Sequence, residues 1–265
     1  MISFLKKKLR ASFSRAGYAI IKHNDLTRLA DYFGSDKGTR FTAHLYTRVY
    51  AKYFGKLRNE AITILEIGLH RVEDDKRRRL GAVEGATSEA ASRAPSLEMW
   101  RAYFPNASLY GFDIDDFTRV NIAGCEIIRG DMSSRDDLAK LVTAVGRPFD
   151  IIIEDASHAS HHQQIALGVL FPHLRSGGLY IIEDLHWQDP GLEKPNVPKT
   201  NDLLKKLQIL GEFESPFLSD VERAYLRDHV DRLSLYDSLT LELCSDPGLL
   251  RIDDANDAIA VIRKK

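Results

Sequence analysis

The sequence is poor in cysteine and tryptophan, with two of each among 265 residues. Cys125 and Cys244 lie far apart and form no CxxC pair, so a cysteine-rich zinc site is excluded and two free, buried thiols in a reducing compartment are expected. Excess charge of either sign is absent too, because 37 basic residues face 38 acidic ones and the formal net charge is −1. Without a basic field, the composition argues against a nucleic-acid partner.

Long apolar runs are also absent. No stretch reaches the roughly 18 residues that a membrane-spanning helix needs, and the N-terminus lacks the apolar region of a signal peptide. These absences predict a cytoplasmic protein. Residues 1–22 are rich in lysine and arginine and place Ile2, Leu5, Leu9 and Phe13 at helical spacing. Peripheral contact with a membrane therefore stays open beside an ordinary amphipathic helix on the domain.

Short apolar segments alternate with helical patterns after residue 60. Five of them predict strands, at 61–68, 108–115, 125–131, 149–155 and 178–184. Near-continuous apolar strands separated by helices predict an α/β, Rossmann-like fold, with a mostly parallel sheet covered by helices on both faces. Two closing strands, at 238–244 and 258–264, would pair as a C-terminal antiparallel hairpin and complete a seven-stranded sheet.

Acidic residues follow the fourth and fifth predicted strands at once, in FDIIIEDASH and GGLYIIEDLHW. Asp155, Glu183 and Asp184 would then leave neighbouring strands at the same edge of the sheet, where open α/β sheets bind ligands. Three converging carboxylates repel one another unless a cation joins them, and hard oxygen ligands suit Mg²⁺ or Mn²⁺. The alternative is that Asp155 and Asp184 are helix caps or structural acids at strand ends.

Histidines lie close to the first acidic cluster. His158 is three residues after Asp155, so a turn would place both on one concave surface, where a neutral imidazole can take a proton near pH 7. The proton would come from a hydroxyl group that a divalent cation polarises. A zinc site built from His158, His161 and His162 is an alternative, although the two adjacent histidines point to different faces of a helix.

The first three strands end in residues that suit a nucleoside. Only Gly68 follows the first strand, and the missing G-x-G-x-x-G pattern argues against a Rossmann oxidoreductase. Asp113 follows the second strand, where an acid can accept hydrogen bonds from ribose hydroxyls. Asp131 follows the third, where it either contacts a ligand or caps the helix near Arg135. A single glycine gives little cradle for a diphosphate, so the pattern favours a mononucleoside-like cofactor.

Several motifs together carry a family resemblance. They are LEIG, YGFDID, RGDMSS, the D-x-S-H sequence, LFPHLRSGGLYIIED, and GSDKGT followed by His44 and Tyr46. Over roughly residues 30–187 the chain resembles the class I S-adenosylmethionine-dependent methyltransferases. More narrowly, it resembles the metal-dependent sugar O-methyltransferases of macrolide biosynthesis, the mycinamicin type.

The resemblance implies a Rossmann-like class I methyltransferase fold and a role for each candidate. Asp155, Glu183 and Asp184 would bind Mg²⁺ or Mn²⁺, and His158 would be the general base, with Asp155 as the second catalytic residue. S-adenosylmethionine would be bound by residues after the strands and by the GSDKGT segment closing over it. These candidates are Asp36, Thr39, Tyr46, Glu66, Gly68, Asp113 and Asp131.

The resemblance also suggests how the chain is organised and what it acts on. Residues 1–60 would form a helical segment that covers the cofactor and contributes contacts to a homo-oligomer. Residues 61–265 would form the methyltransferase domain, with a lid-like loop at 69–96 and an insertion at 188–230. The expected acceptor is a sugar or polyol hydroxyl of a small-molecule glycoside or saccharide. The alternatives are a catechol-type phenol acceptor and a non-catalytic methyltransferase-like module.

Overall fold

The structure is a computed structural model, and it describes residues 26–39, 45–69, 91–237 and 258–265. Its helices are α1 (Leu26–Phe33), α2 (Tyr46–Phe54), α3 (Pro95–Tyr103), α4 (Arg135–Val145), α5 (Ser160–Leu170), α6 (Thr200–Leu210) and α7 (Asp220–His229), with a 3₁₀ turn at Phe171–His173. Its strands are β1 (Thr63–Ile67), β2 (Ser108–Asp113), β3 (Cys125–Arg129), β4 (Phe149–Glu154), β5 (Leu174–Ile182), β6 (Val230–Asp237) and β7 (Ala258–Lys264).

The strands form one seven-stranded sheet in the order β3-β2-β1-β4-β5-β7-β6. Strands β1 to β5 pair in parallel, and β7 pairs antiparallel with both β5 and β6. The predicted fold, a mostly parallel sheet with a C-terminal antiparallel hairpin, is therefore confirmed. The hairpin partner of β7 is Val230–Asp237, a strand that the sequence pattern does not predict. The predicted strand at 238–244 lies outside the described residues.

Two apolar cores cover the two faces of the sheet. Alternate residues of one strand enter different cores, as Ile151 and Ile153 do against Ile152, because successive side chains of a strand point to opposite faces. Helices α1, α2 and α3 pack on the first face, and α4, α5, α6 and α7 pack on the second. The helices found between residues 188 and 230, predicted as an insertion, thus cover the sheet itself. The predicted domain boundaries stay a prediction.

Several expectations fall on parts of the chain that the structure does not describe. They concern the basic N-terminus, residues 70–90 of the lid-like loop, and Cys244. Cys125 is a free, half-buried thiol on β3, and burial raises its pKa to about 12. A raised pKa disfavours the thiolate, which is the reactive form of cysteine. Within the described ranges, no helix combines the length and apolar character required to cross a bilayer.

Gly68 makes the close approach of β1 to β4 possible at the edge where the parallel strands end, which we call the carboxyl edge. Its φ of 87° lies in the left-handed region, and a Cβ there would overlap the carbonyl of Asp155 and the backbone of Ala156. The Gly68 amide donates to the carbonyl of Phe112 at 2.9 Å. The glycine therefore lets the acid-bearing turn after β4 lie directly against the end of β1.

Replacing Gly68 with alanine should destabilise the fold by about 2–5 kcal/mol. This estimate adds about 1–2 kcal/mol for a left-handed alanine to about 1–3 kcal/mol for the overlap. Gly177→Ala is the matched control, because its φ is 74° but no atom lies within 4 Å of the added Cβ. Urea denaturation should show that Gly177→Ala loses only the strain contribution. Equal losses in the two variants would contradict the overlap.

Candidate active site

The acids of the two predicted clusters meet at the carboxyl edge. Asp155 directly follows β4, while Glu183 and Asp184 directly follow β5. These strands pair in parallel, with Glu154 opposite Ile182, and the Glu183 amide continues the ladder by donating to the Glu154 carbonyl at 2.9 Å. Parallel pairing thus brings the side chains together although they are far apart in sequence.

Asp155, His158 and Asp184 form a group with the geometry of a metal site. One ligand atom from each lies within 4.8 Å of the others, and all three residues are half-buried. It is the one such group of histidine, cysteine and acidic side chains in the described ranges. His161 and His162 do not join it, since their rings contact each other at 4.1 Å and His162 Nδ1 binds Ser157 at 2.7 Å. The three-histidine zinc alternative is therefore wrong.

The two residues that close the group share an unusual backbone conformation. His158 and Asp184 have φ values of 54° and 52°, and left-handed geometry is uncommon for residues other than glycine. His158 Nε2 lies 3.6 Å from Asp184 Oδ2, and its ring packs edge to face on Trp187 at 5.6 Å between centroids. Its Nδ1 is buried and has no hydrogen-bond partner among the described residues. The imidazole is thus fixed in orientation, with Nε2 on the side of the acids and Nδ1 closed off from solvent.

Lys37 is a functional candidate that sequence reasoning missed. Its side chain is buried, and its ammonium donates to Asp155 and to both carboxylate oxygens of Glu183, at 2.9 and 3.0 Å. Glu66 Oε1 lies 3.4 Å from the same nitrogen. Burial alone would lower the pKa of Lys37, but the three carboxylates outweigh it and hold that pKa well above its ordinary value. Lys37 is therefore a cation at the centre of the acids.

Helix α2 supplies a hydroxyl group to each of the two acids after β5. Tyr50 donates to Glu183. Tyr46, one turn earlier on the same face, donates to Asp184 Oδ1 at 2.6 Å and accepts from the Asp184 amide at 3.3 Å. The structure thus places Tyr46 against a candidate metal ligand. Its predicted contact with the cofactor stays a prediction.

Two further acids are buried beneath the group on opposite faces of the sheet. Burial raises the pKa of Glu66 to about 7 and that of Glu154 to about 8. The ammonium of Lys37 opposes the rise at Glu66, and the Ala156 amide, which donates to Glu154 Oε1 at 3.3 Å, opposes it at Glu154. Because a raised pKa favours the protonated form, these two acids add less negative charge to the carboxyl edge than exposed acids would. Glu66, a predicted cofactor contact, faces Lys37.

Asp113 and Asp131 lie where the sequence predicted them, at the ends of β2 and β3. Asp113 Oδ2 accepts from the Leu69 amide at 2.6 Å, so this carboxylate braces the loop after β1. Asp131 Oδ1 accepts from the Ser133 amide at 2.7 Å. The cap of α4 is Ser134, whose hydroxyl accepts from the Asp137 amide at 3.3 Å. The capping interpretation of Asp131 is therefore wrong, and its contact with a cofactor stays a prediction.

The GSDKGT segment is anchored to α1. Thr39 donates from its amide and its hydroxyl to the two oxygens of Asp31, at 2.7 and 2.8 Å. Helix α2 begins without a side-chain cap. The negative charge of Asp36, beside Lys37, raises the pKa of Asp155, although burial is the larger cause. Cofactor binding by Asp36 and Thr39 stays a prediction.

Curated proteins with similar sequences are sugar O-methyltransferases. The 8-demethyl-8-alpha-L-rhamnosyl tetracenomycin-C 2'-O-methyltransferase of Streptomyces olivaceus is 37% identical over 160 residues, which cover 60% of this chain and 37% of that protein. The demethylmacrocin O-methyltransferase of Streptomyces fradiae is 33% identical over 205 residues, covering 74% of this chain and 47% of that protein. The chain thus matches less than half of either relative. No protein-family model matches it.

A solved structure shows the same fold. The MycE methyltransferase of the mycinamycin biosynthetic pathway, in complex with Mg, SAH and mycinamycin VI, superposes with a TM-score of 0.64 at 26% identity. The match covers 91% of this chain and 54% of MycE. The family resemblance found in the sequence motifs is thereby confirmed. The chain is homologous to the sugar O-methyltransferases of the macrolide and tetracenomycin type and has their Rossmann-like methyltransferase fold.

Proposed function

We propose that this chain is an S-adenosylmethionine-dependent, divalent-metal-dependent O-methyltransferase that acts on a sugar hydroxyl of a glycosylated natural product. The observation that carries the proposal is the convergence of Asp155, His158 and Asp184 within 4.8 Å at the carboxyl edge. Because the chain spans about half or less of its curated relatives, their activities support this assignment without establishing it here.

The donor set of the group fits a hard dication. Asp155 and Asp184 offer carboxylate oxygens, the ligands that Mg²⁺ and Mn²⁺ prefer, and Glu183 lies beside them. MycE was solved with Mg. A dication held by these acids would act as a Lewis acid and lower the pKa of an acceptor hydroxyl. Coordination by Glu183 would place the dication on oxygens that already accept from the Lys37 ammonium.

His158 is placed to take the proton of that hydroxyl. Its Nε2 faces Asp184 at 3.6 Å, and its buried Nδ1 has no partner among the described residues. Nε2 is therefore the nitrogen placed to accept the proton of a hydroxyl held beside the acids, because Nδ1 is closed off from solvent. The nearby Asp184 carboxylate then stabilises the resulting imidazolium, as an acid beside a catalytic histidine generally does. Trp187 packs on the ring and restricts its rotation.

The ends of β1 and β2 fit a nucleoside cofactor. Gly68 lies at the end of β1, and Asp113 lies beside it through its bond to the Leu69 amide. The two oxygens of Asp113 accept the amides of Leu69 and Asp115, which holds the carboxylate at the end of β2, where an acid can accept from ribose hydroxyls. Asp131 lies at the next strand end. S-adenosylmethionine held here would supply an electrophilic methyl group, and the protein would mainly align it with the acceptor oxygen.

The similar proteins favour a sugar over a phenol as acceptor. The tetracenomycin relative is named for methylation at the 2'-oxygen of a rhamnosyl derivative, and MycE was solved with mycinamycin VI. In this chain, Trp187 keeps 47% of its surface exposed while it contacts His158. It thus offers an apolar surface beside the base for one face of a sugar ring. A homo-oligomer and contact with a membrane stay predictions.

The proposed function can be tested on the whole chain. Calorimetry should detect binding of S-adenosylmethionine. Mass spectrometry should detect a methylated product when Mg²⁺ and a panel of rhamnosylated polyketides and macrolide glycosides are added. Methylation of catechols but not of glycosides would favour the phenol alternative. A folded protein that binds no S-adenosylmethionine would be the non-catalytic module.

Asp184→Asn should weaken Mn²⁺ binding at least about 100-fold, because loss of a ligand costs more than loss of an outer partner, which costs about 10–100-fold. The affinity for S-adenosylmethionine should stay close to that of the wild type. Titration calorimetry with each ligand measures both. Asp189→Asn is the matched control, since Asp189 lies in the same loop and its carboxylate accepts from the Gly191 amide at 2.7 Å. Retained Mn²⁺ affinity in Asp184→Asn would remove Asp184 from the site.

His158→Ala should lower kcat by about 10²–10⁴, the usual contribution of a general base, with a smaller effect on KM. Steady-state kinetics with Mg²⁺ and a glycoside acceptor measures the two constants. His173→Ala is the control, because His173 is exposed at the opposite end of β5. A near-wild-type kcat in His158→Ala would mean that another group takes the proton.

A further inference from the structure

We propose that Lys37 is an internal cation that competes with the dication for the carboxylates of Asp155 and Glu183, and so sets the metal affinity of the site. The inference rests on the proposed function, because it concerns the same dication. It gives Lys37 a positioning role, since its effect on the reaction passes through the acids.

The contacts of Lys37 motivate the proposal. The ammonium carries three donor hydrogens, and it lies against three acids: Asp155, Glu183 and Glu66. Both oxygens of Glu183 are involved, at 2.9 and 3.0 Å. Lys37 is 1% exposed, so water does not screen these ion pairs as it screens surface pairs. The lysine therefore lies at the position from which a cation would bridge β4 and β5.

A dication and this ammonium compete for the same carboxylates. Coordination by Asp155 and Glu183 would bring the metal within a few ångströms of the Lys37 ammonium, and two cations so close in a buried site repel strongly. Metal binding therefore favours the arrangement in which Lys37 has withdrawn. When only a fraction of molecules has the binding-competent arrangement, the apparent dissociation constant rises by the inverse of that fraction.

Glu66 provides the place to which Lys37 withdraws. Its Oε1 is already 3.4 Å from the ammonium, and it belongs to β1, away from Asp184. The lysine stem has four flexible carbons. Its backbone is fixed by the Thr47 amide, which donates to the Lys37 carbonyl at 3.1 Å. A change of side-chain rotamer thus moves the charge from Asp155 and Glu183 to Glu66 while the turn keeps its backbone bonds.

The experiment compares Mn²⁺ binding by wild type and Lys37→Met, using titration calorimetry and the Mn²⁺ electron paramagnetic resonance spectrum. Removing the competitor should tighten Mn²⁺ binding by about tenfold or more. The metal-free variant should melt at a lower temperature, because buried carboxylates lose their counter-ion. Excess Mn²⁺ should raise its melting temperature more than that of the wild type.

Lys264→Met is the matched control. Lys264 is the other buried lysine among the described residues, but it donates to the backbone carbonyls of Phe171, Pro172 and Leu174 and contacts none of the acids of the site. This variant should lose stability while its Mn²⁺ affinity stays unchanged. The comparison thereby separates the loss of stability that follows from removing a buried lysine from the gain in Mn²⁺ affinity that follows from removing a competitor.

A second variant tests the direction of the exchange and does not require Lys37→Met to fold. Glu66→Gln removes the acid to which Lys37 withdraws, so Mn²⁺ should bind more weakly than to the wild type. Unchanged or weaker Mn²⁺ binding by Lys37→Met, or tighter binding by Glu66→Gln, would overturn the competition while leaving the proposed function intact. A wild-type protein that binds no Mn²⁺ would instead remove the metal from the proposed function and this inference with it.

Discussion

The interaction on which the site depends is the ion pairing of the buried Lys37 ammonium with Asp155 and Glu183. Parallel pairing of β4 and β5 forces these carboxylates together, and burial makes an unpaired charge there costly. Breaking a buried pair by removing one partner typically costs about 3–5 kcal/mol. A cation is therefore a structural requirement at this edge. The negative charges that Lys37 balances are also the charges that would bind a dication at the carboxyl edge.

The fold explains how residues near the N-terminus come to contact acids from the middle of the sequence. Gly68 lets the turn after β4 lie against β1. Helix α2 packs on the first face of the sheet, where its Tyr50 and the buried Lys37 both contact Glu183. The acids are thus held from the N-terminal side by one lysine and two tyrosines. The imidazole of His158 lies at Oδ2 of Asp184, whereas Tyr46 binds Oδ1, and its ring contacts the exposed indole of Trp187. Lys37 therefore balances the charge of the acids, while His158, a different neighbour of them, takes the proton in the proposed reaction.

Much of this arrangement could be predicted, because local patterns report buried strands and their ends. The runs ending at Ile67, Asp113 and Glu154 are short and apolar, and parallel topology then brings their ends to one edge. Strand β6 was not predicted because Asp231 and Arg232 interrupt the apolar pattern of VDRLSLYD close to its start, and the strand follows α7 without an intervening turn. Lys37 escaped for a different reason: nothing local marks a lysine in a turn as buried. The available signal was global, since several buried acids at one edge need a counter-ion.

The most direct test of the account is the position of a bound ion. A crystal of this protein soaked with Mn²⁺ and S-adenosylhomocysteine can be measured for anomalous scattering from manganese. If the two acids hold the metal, the manganese peak should lie about 2 Å from carboxylate oxygens of both Asp155 and Asp184, the usual length of such bonds. The Lys37 ammonium should then be displaced toward Glu66. A fully occupied cofactor site with no manganese between these acids, and Lys37 still bound to Glu183, would contradict it.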